Sequence, residues 1–190
     1  SSGSLTYHNG DQGWTVMDMN GDAKPDLVVT GQGNGSYGDV FGGGSSPYWK
    51  VYMNNGTEFA SSPTNWSVPN GGQVDAGGHA YGFNASSGSL TYHNGDQGWT
   101  VMDMNGDAKP DLVVTGQGNG SYGDVFGSGS SPYWKVYLNN GTEFASSPTN
   151  WSVPNGGQVD AGGHAYGFNA SSGSLTYHNG DQGWITMDID

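Results

Sequence analysis

This sequence predicts an all-β fold of tandem, four-stranded, antiparallel, blade-like sheets, and three observations carry that prediction. The 190-residue chain repeats itself with a period of 85: residues 1–85 and 86–170 differ only at Gly43 against Ser128 and at Met53 against Leu138. Short runs alternate apolar with polar residues, which is the period of a strand, and no run keeps helical spacing. Asn, Gly and Ser cluster between those runs, as turn chemistry does. The domain reading is repeat 1 over residues 1–85, repeat 2 over 86–170 and the start of a third repeat over 171–190. A period of this length is the mark of a repeat architecture.

Taken in order, Gly13-Trp14-Thr15-Val16-Met17-Asp18 alternates and reads as a first strand. Asp26-Leu27-Val28-Val29-Thr30 reads as a second, so the residues between them form a hairpin turn. After a Gly-rich stretch from Gly31 to Pro47, Tyr48-Trp49-Lys50-Val51-Tyr52-Met53 reads as a third strand. Asn54-Asn55-Gly56 is a hairpin turn, since Asn and Gly tolerate positive φ. The fourth strand starts either near Thr57-Glu58-Phe59 or at Asn65-Trp66-Ser67-Val68. A second Gly-rich stretch, Asn70 to Gly82, overlaps the start of a short hairpin expected between Tyr81 and His93. Four short strands with central aromatics are how a β-propeller blade reads. The blades are expected either to close a ring or to stack as a filament. The pattern opens and ends without a distinct capping unit, which fits an excerpt of a longer array.

Composition narrows the function classes. Apolar residues are 33% and Gly is 36 of 190, yet 24 aromatics argue for a packed core rather than disorder. Seventeen acids against four lysines give a net charge of −13, which disfavours nucleic acid and anionic membranes. There is no cysteine, so no disulfide holds the chain. No apolar run is long enough for a membrane-spanning helix, and no membrane insertion is expected.

The first hairpin turn carries the chemistry. Counted from Asp18, side-chain oxygens fall at positions 1 (Asp18), 3 (Asn20), 5 (Asp22) and 9 (Asp26). Lys24 at position 7 offers its backbone carbonyl, with its ammonium expected to turn to water. The second repeat has Asp103, Asn105, Asp107, Lys109 and Asp111 in the same places. Calcium takes six to eight hard oxygens in flexible geometry, so one Ca2+ per complete repeat is expected. Three carboxylates a few ångströms apart repel without a cation. The partial repeat supplies only Asp188 and Asp190, too few for a site. An EF-hand is the weaker reading, because Val29 stands where its bidentate Glu belongs and strands flank the loop. The competing account is an Asx-rich turn without metal.

Trp14 to Val29, followed by Tyr48 to Phe59, resembles the FG-GAP/VCBS repeat family of secreted and cell-surface proteins. The resemblance covers a little over half of each repeat. It implies an integrin-type propeller blade with calcium between the first two strands. That family often has Gly at position 6, where this chain has Ala23. The resemblance implies no ligand, since members serve as adhesins, lectin-like modules and toxin parts.

Asn-x-Ser/Thr triplets at Asn34, Asn55, Asn65, Asn84, Asn119, Asn140, Asn150 and Asn169 are candidate glycosylation sites. Trp14, Trp49, Trp66, Tyr48 and Tyr52 read as core. Tyr37, Phe41 and Tyr81, with Tyr122, Phe126 and Tyr166, sit in Gly-rich surroundings and are candidates for exposed ligand contact. The five histidines have no partner at metal-ligand spacing. Asp11, Glu58 and Asp75 are the carboxylates available for glycoside hydrolysis, but nothing in the sequence pairs them, so no enzyme is expected. The expected function is a calcium-stabilised structural repeat of an extracellular or cell-surface protein, bacterial in origin, as a self-assembling filament or adhesin stalk. Its partners would be other copies or neighbouring repeats of itself, and possible glycans. The alternative is a carbohydrate-binding, lectin-like β-propeller.

Overall fold

The alternating runs fold as strands, and strands consecutive in each repeat pair side by side. In the computed structural model these are β1 (Trp14–Met17), β2 (Asp26–Val29), β3 (Tyr48–Tyr52) and β4 (Thr64–Ser67), paired in the order β1-β2-β3-β4. The second copy gives β7 (Trp99–Met102), β8 (Asp111–Val114), β9 (Tyr133–Tyr137) and β10 (Thr149–Ser152), in the equivalent order. Between them β5 (Gly82–Asn84) and β6 (Ser89–Thr91) form a two-stranded hairpin. Every pairing is antiparallel, and no helix occurs among the described residues. The structure describes residues 14–30, 41–42, 46–69, 82–84, 89–91, 99–114, 126–127 and 131–153. Among them the two four-stranded sheets do not close into a ring.

The fourth strand takes the second of its two expected positions. Residues 54–59 are committed to a turn instead: Asn55 N donates to Glu58 O at 3.1 Å and Gly56 adopts φ +97°. Phe59 keeps only a single bridge to Asn54. The expected hairpin between Tyr81 and His93 is present as β5 and β6.

Alternation gives each sheet two faces. In the first sheet Val28, Val51, Trp49 and Trp66 share one face, and Val16, Leu27 and Tyr52 the other. The first of these faces packs onto the opposite face of the second sheet. A single core cluster joins Met19, Val28, Trp49, Val51, Trp66 and Val68 to Leu112, Val114, Phe126, Tyr137 and Phe144. Phe144 meets Trp49 edge-on, with ring centroids 5.4 Å apart, the favoured geometry for two quadrupoles. Hydrogen bonds cross the joint from Phe144 N to Ser67 O at 3.4 Å and from Asn139 Nδ2 to Met19 O at 2.9 Å. The joint is heterologous, one kind of face on the other.

Candidate metal centre

The pairing Met17↔Asp26 closes the first hairpin, so β1 and β2 hold the ends of the Asx-rich loop together. Inside the loop the acidic side chains cap the backbone. Asp18 Oδ1 accepts from Gly21 N at 2.8 Å and Asp22 N at 3.0 Å, and its Oδ2 accepts from Ala23 N at 2.7 Å. Asn20 Oδ1 accepts from Asp22 N at 3.0 Å, and Asp22 Oδ1 from Lys24 N at 3.0 Å. The second loop repeats every one of these bonds from Asp103, Asn105 and Asp107. The backbone follows a tight path, with Gly21 at φ +78° and Ala23 at φ +65°. Only glycine adopts such angles without steric cost.

Asp26 does a different job. It is fully buried, accepting from Met19 N at 3.0 Å through Oδ2 and from Asn54 N at 2.8 Å through Oδ1. It thus ties the loop to the turn between β3 and β4. Asp111 ties Met104 N and Asn139 N in the same way, at 2.9 and 2.8 Å. Burial raises the pKa of Asp26, the two N–H donors pull it back, and the charges of Asp22 and Asp18 raise it further. Asp111 is raised for the same reasons.

The lysines depart from expectation. Lys24 Nζ does not stand free in water but pairs with Asp22 Oδ2 at 2.7 Å, and Lys109 Nζ pairs with Asp107 Oδ2 at 3.0 Å. Each ammonium lies beside a carboxylate that would otherwise face its neighbours uncompensated. The Lys24 hydrogen bond is also the main reason that Asp22 titrates below the usual carboxylate range. One difference between the copies reads out here. Asn20 Nδ2 donates to the Met53 sulfur at 3.8 Å; where Leu138 offers no sulfur, Asn105 Nδ2 turns to Asp107 Oδ2 at 3.2 Å.

Among the described residues no three His, Cys, Asp or Glu side chains converge as a metal-holding group. The donor set nonetheless suits a hard cation: Asp18 and Asp22 offer carboxylate oxygens and Asn20 its amide oxygen, and a carboxylate holding one or two N–H bonds keeps further lone pairs. The charges of Asp22 and Asp18 add, after burial, to the raised pKa of Asp26.

The first loop also belongs to the joint. Met19 is fully buried in it, and a Cβ on Gly21 would lie 3.0 Å from the Lys109 side chain, whereas one on Gly106 would meet nothing.

The other candidates fall out unevenly. Phe126, expected to be an exposed contact, is instead buried in the joint, stacked on Tyr133 at 5.7 Å under the Lys135 ammonium at 4.2 Å. Phe41 is half-buried in the equivalent stack with Tyr48 and Lys50. Tyr37, Tyr81, Tyr122 and Tyr166 lie outside the described residues, as do Asn34, Asn119 and Asn169, all five histidines, Asp11 and Asp75. Asn55, Asn65, Asn140 and Asn150 are exposed, while for Asn84 only its place at the end of β5 is described. Glu58 is exposed in the turn after β3. Trp49 and Trp66 are core as expected; Tyr48 and Tyr52 are half-buried, and Trp14 is exposed.

Sequence reasoning missed a groove at the joint. It has a volume of about 620 Å³, and its lining includes Tyr48, Asn65 and Ser67 of the first copy with Glu143 and Ser146 of the second. No spacing within one repeat signals it, because it exists only where two copies meet. Comparison of the chain with known protein families, curated proteins and solved structures gives no match. The FG-GAP/VCBS resemblance therefore rests on the residues themselves.

Proposed function

We propose that this chain is a calcium-stabilised structural repeat of an extracellular or cell-surface protein, with blades of β-propeller type stacked in a filament or adhesin stalk. The observation that carries the reading is the heterologous joint, in which near-identical sheets pack unlike faces together and one Asx-rich loop takes part. Interfaces of that kind generate rings or open stacks, according to the rotation between units. Asp18, Asn20, Asp22 and Asp26, with the Lys24 carbonyl, would hold one calcium, and Asp103, Asn105, Asp107, Asp111 and the Lys109 carbonyl a second. Bound calcium supplies positive charge where the carboxylates repel. The chain's own part is to fix those oxygens by Asx turns between two paired strands. The FG-GAP/VCBS resemblance and the acidic, cysteine-free composition support the location.

Thermal melting tests the calcium part. At calcium one hundred times its dissociation constant, one site adds about 2.7 kcal/mol of stability. Chelation should lower the melting temperature of the wild type. The Asp22→Ala/Asp107→Ala double variant should melt near the chelated wild type and ignore the chelator. A wild type indifferent to chelation ends the calcium reading.

The lectin-like alternative has one observation in its favour, the groove at the joint, where an aromatic ring and several polar groups converge. Binding on a glycan array that is lost on Tyr48→Ala would support it, and silence across a broad array would count against it.

A further inference from the structure

The two Asx-rich loops share one internal geometry but not one environment. Gly21 and Gly106 both adopt φ +78°, and Ala23 and Ala108 both φ +65°. The first loop is laid against the second copy. Its Met19 is fully buried, and the Met19 carbonyl accepts from Asn139 Nδ2 at 2.9 Å. The Asn20 carbonyl lies 3.9 Å from where a Cβ on Gly141 would be, and Lys109 Cγ lies 3.0 Å from where one on Gly21 would be. Asp18 and Asn20 are half-buried there. In the second loop Asp103 and Asn105 are exposed, Met104 is half-buried, and a Cβ on Gly106 would meet nothing among the described residues. The joint thus leaves the path of the first loop unchanged and limits its freedom.

We propose that the joint makes the two loops unequal cation sites: the first, ordered by the second copy through Asn139, holds calcium more tightly than the second. The inference rests on the calcium part of the proposed function. Gathering several oxygens around one ion costs chain entropy. In the first loop the Asn139 bond and the packing on Gly21 have already removed part of that freedom, while the second loop must lose it on binding. Half-burial of Asp18 acts in the same direction, because a carboxylate less screened by water attracts a cation more strongly. A cation site and a packed joint that favour each other are coupled in free energy, so loosening the joint must weaken the site.

Calorimetric titration of calcium into the full chain tests this. Asp103→Ala removes a ligand of the second loop, so that the first is read alone, and Asp18→Ala does the converse. Neither change removes Asp107, whose ion pair with Lys109 lies beside Gly21. The first loop should bind calcium about fivefold tighter than the second or better, the low end of ordinary coupling between sites. Adding Asn139→Ala to Asp103→Ala should bring the first loop down toward the affinity of the second. Phe144→Leu, a change in the joint outside both loops, should act in the same direction. Asn54, the counterpart of Asn139, donates within its own copy, to Pro25 O at 3.0 Å. Adding Asn54→Ala to Asp18→Ala should therefore leave the second loop unchanged. A thermal transition retained above the titration temperature will confirm that each variant is folded. Two equal affinities overturn the inference while the calcium reading stands. So does a first loop that neither Asn139→Ala nor Phe144→Leu weakens. A wild type that takes up no calcium ends the calcium reading itself, and the inference with it.

Discussion

The two copies of the repeat are almost the same sequence in two different environments. Trp66 and Trp151 are the same residue on the same strand, yet one is fully buried and the other exposed. Phe59 and Phe144 show the reverse, the first exposed and the second 2% accessible. Tyr137 is fully buried, and burial raises its pKa, while Tyr52 is half-buried. Because the local sequence is constant, these differences come from place in the stack alone. Stability in this molecule therefore has a local part, equal in both copies, and a joint part, which falls on opposite faces of the two sheets.

The largest expected break in that comparison is at the tryptophans. Truncating a buried Trp costs about 3–5 kcal/mol. Trp66→Ala should cost near the low end, about 3 kcal/mol, because the buried Trp66 Nε1 has no hydrogen-bond partner among the described residues and its desolvation penalty is recovered. Trp151→Ala should cost about 1 kcal/mol or less. Phe144→Ala against Phe59→Ala should give the same contrast with the copies exchanged. Urea denaturation at concentrations where the chain is monomeric measures all four. Equal costs at Trp66 and Trp151 would mean that the sheets do not stack as described.

The asparagines after β3 and β9 give a smaller, cleaner difference. Asn54 Nδ2 donates to Pro25 O, and Asn139 Nδ2 to both Pro110 O and Met19 O. Losing either side chain uncaps its own turn, at Gly56 N or Gly141 N. Only Asn139→Ala also strips a buried carbonyl across the joint, which costs about 1–2 kcal/mol beyond Asn54→Ala. The same denaturation curves read the difference. If the two variants fall together, the Asn139 bond to Met19 carries none of the joint.

How much of this was legible in the sequence follows the same division. The strands, the hairpin turn and the Asx ladder are local, written in alternation and in the spacing of Asp18, Asn20, Asp22 and Asp26. The sequence leaves β4 between two positions, because Thr57-Glu58-Phe59 carries strand-like residues; the turn geometry at Asn55 and Gly56 decides between them. Phe126 reads from sequence as an exposed contact because its Gly-rich surroundings resemble a surface loop, yet it is buried. Tyr133, Lys135 and the first sheet bury it, and none of these is a local signal. The ammonium groups of Lys24 and Lys109 were expected in water, since spacing alone does not say which carboxylate a flexible stem will reach. Which tryptophan is covered could not be read at all from two copies of one sequence.

The smallest effect is the control for the whole comparison. Ala23 and Ala108 both sit at φ +65°, where an L-residue with a Cβ is strained by roughly 1–2 kcal/mol. Glycine removes that strain but returns part of the gain as greater freedom in the unfolded chain. Ala23→Gly and Ala108→Gly should each therefore stabilise by about 0.5–1 kcal/mol. Both residues are exposed, and their N–H groups bond Asp18 Oδ2 and Asp103 Oδ2 at 2.7 and 2.8 Å. The two gains should be equal, because the strain lies in the backbone of each loop and not in the joint. Equal gains here, beside unequal losses at Trp66 and Trp151, would separate the local term from the stacking term within one molecule. An Ala23→Gly gain differing from that of Ala108→Gly would show that packing of the first loop against Lys109 already reaches its backbone.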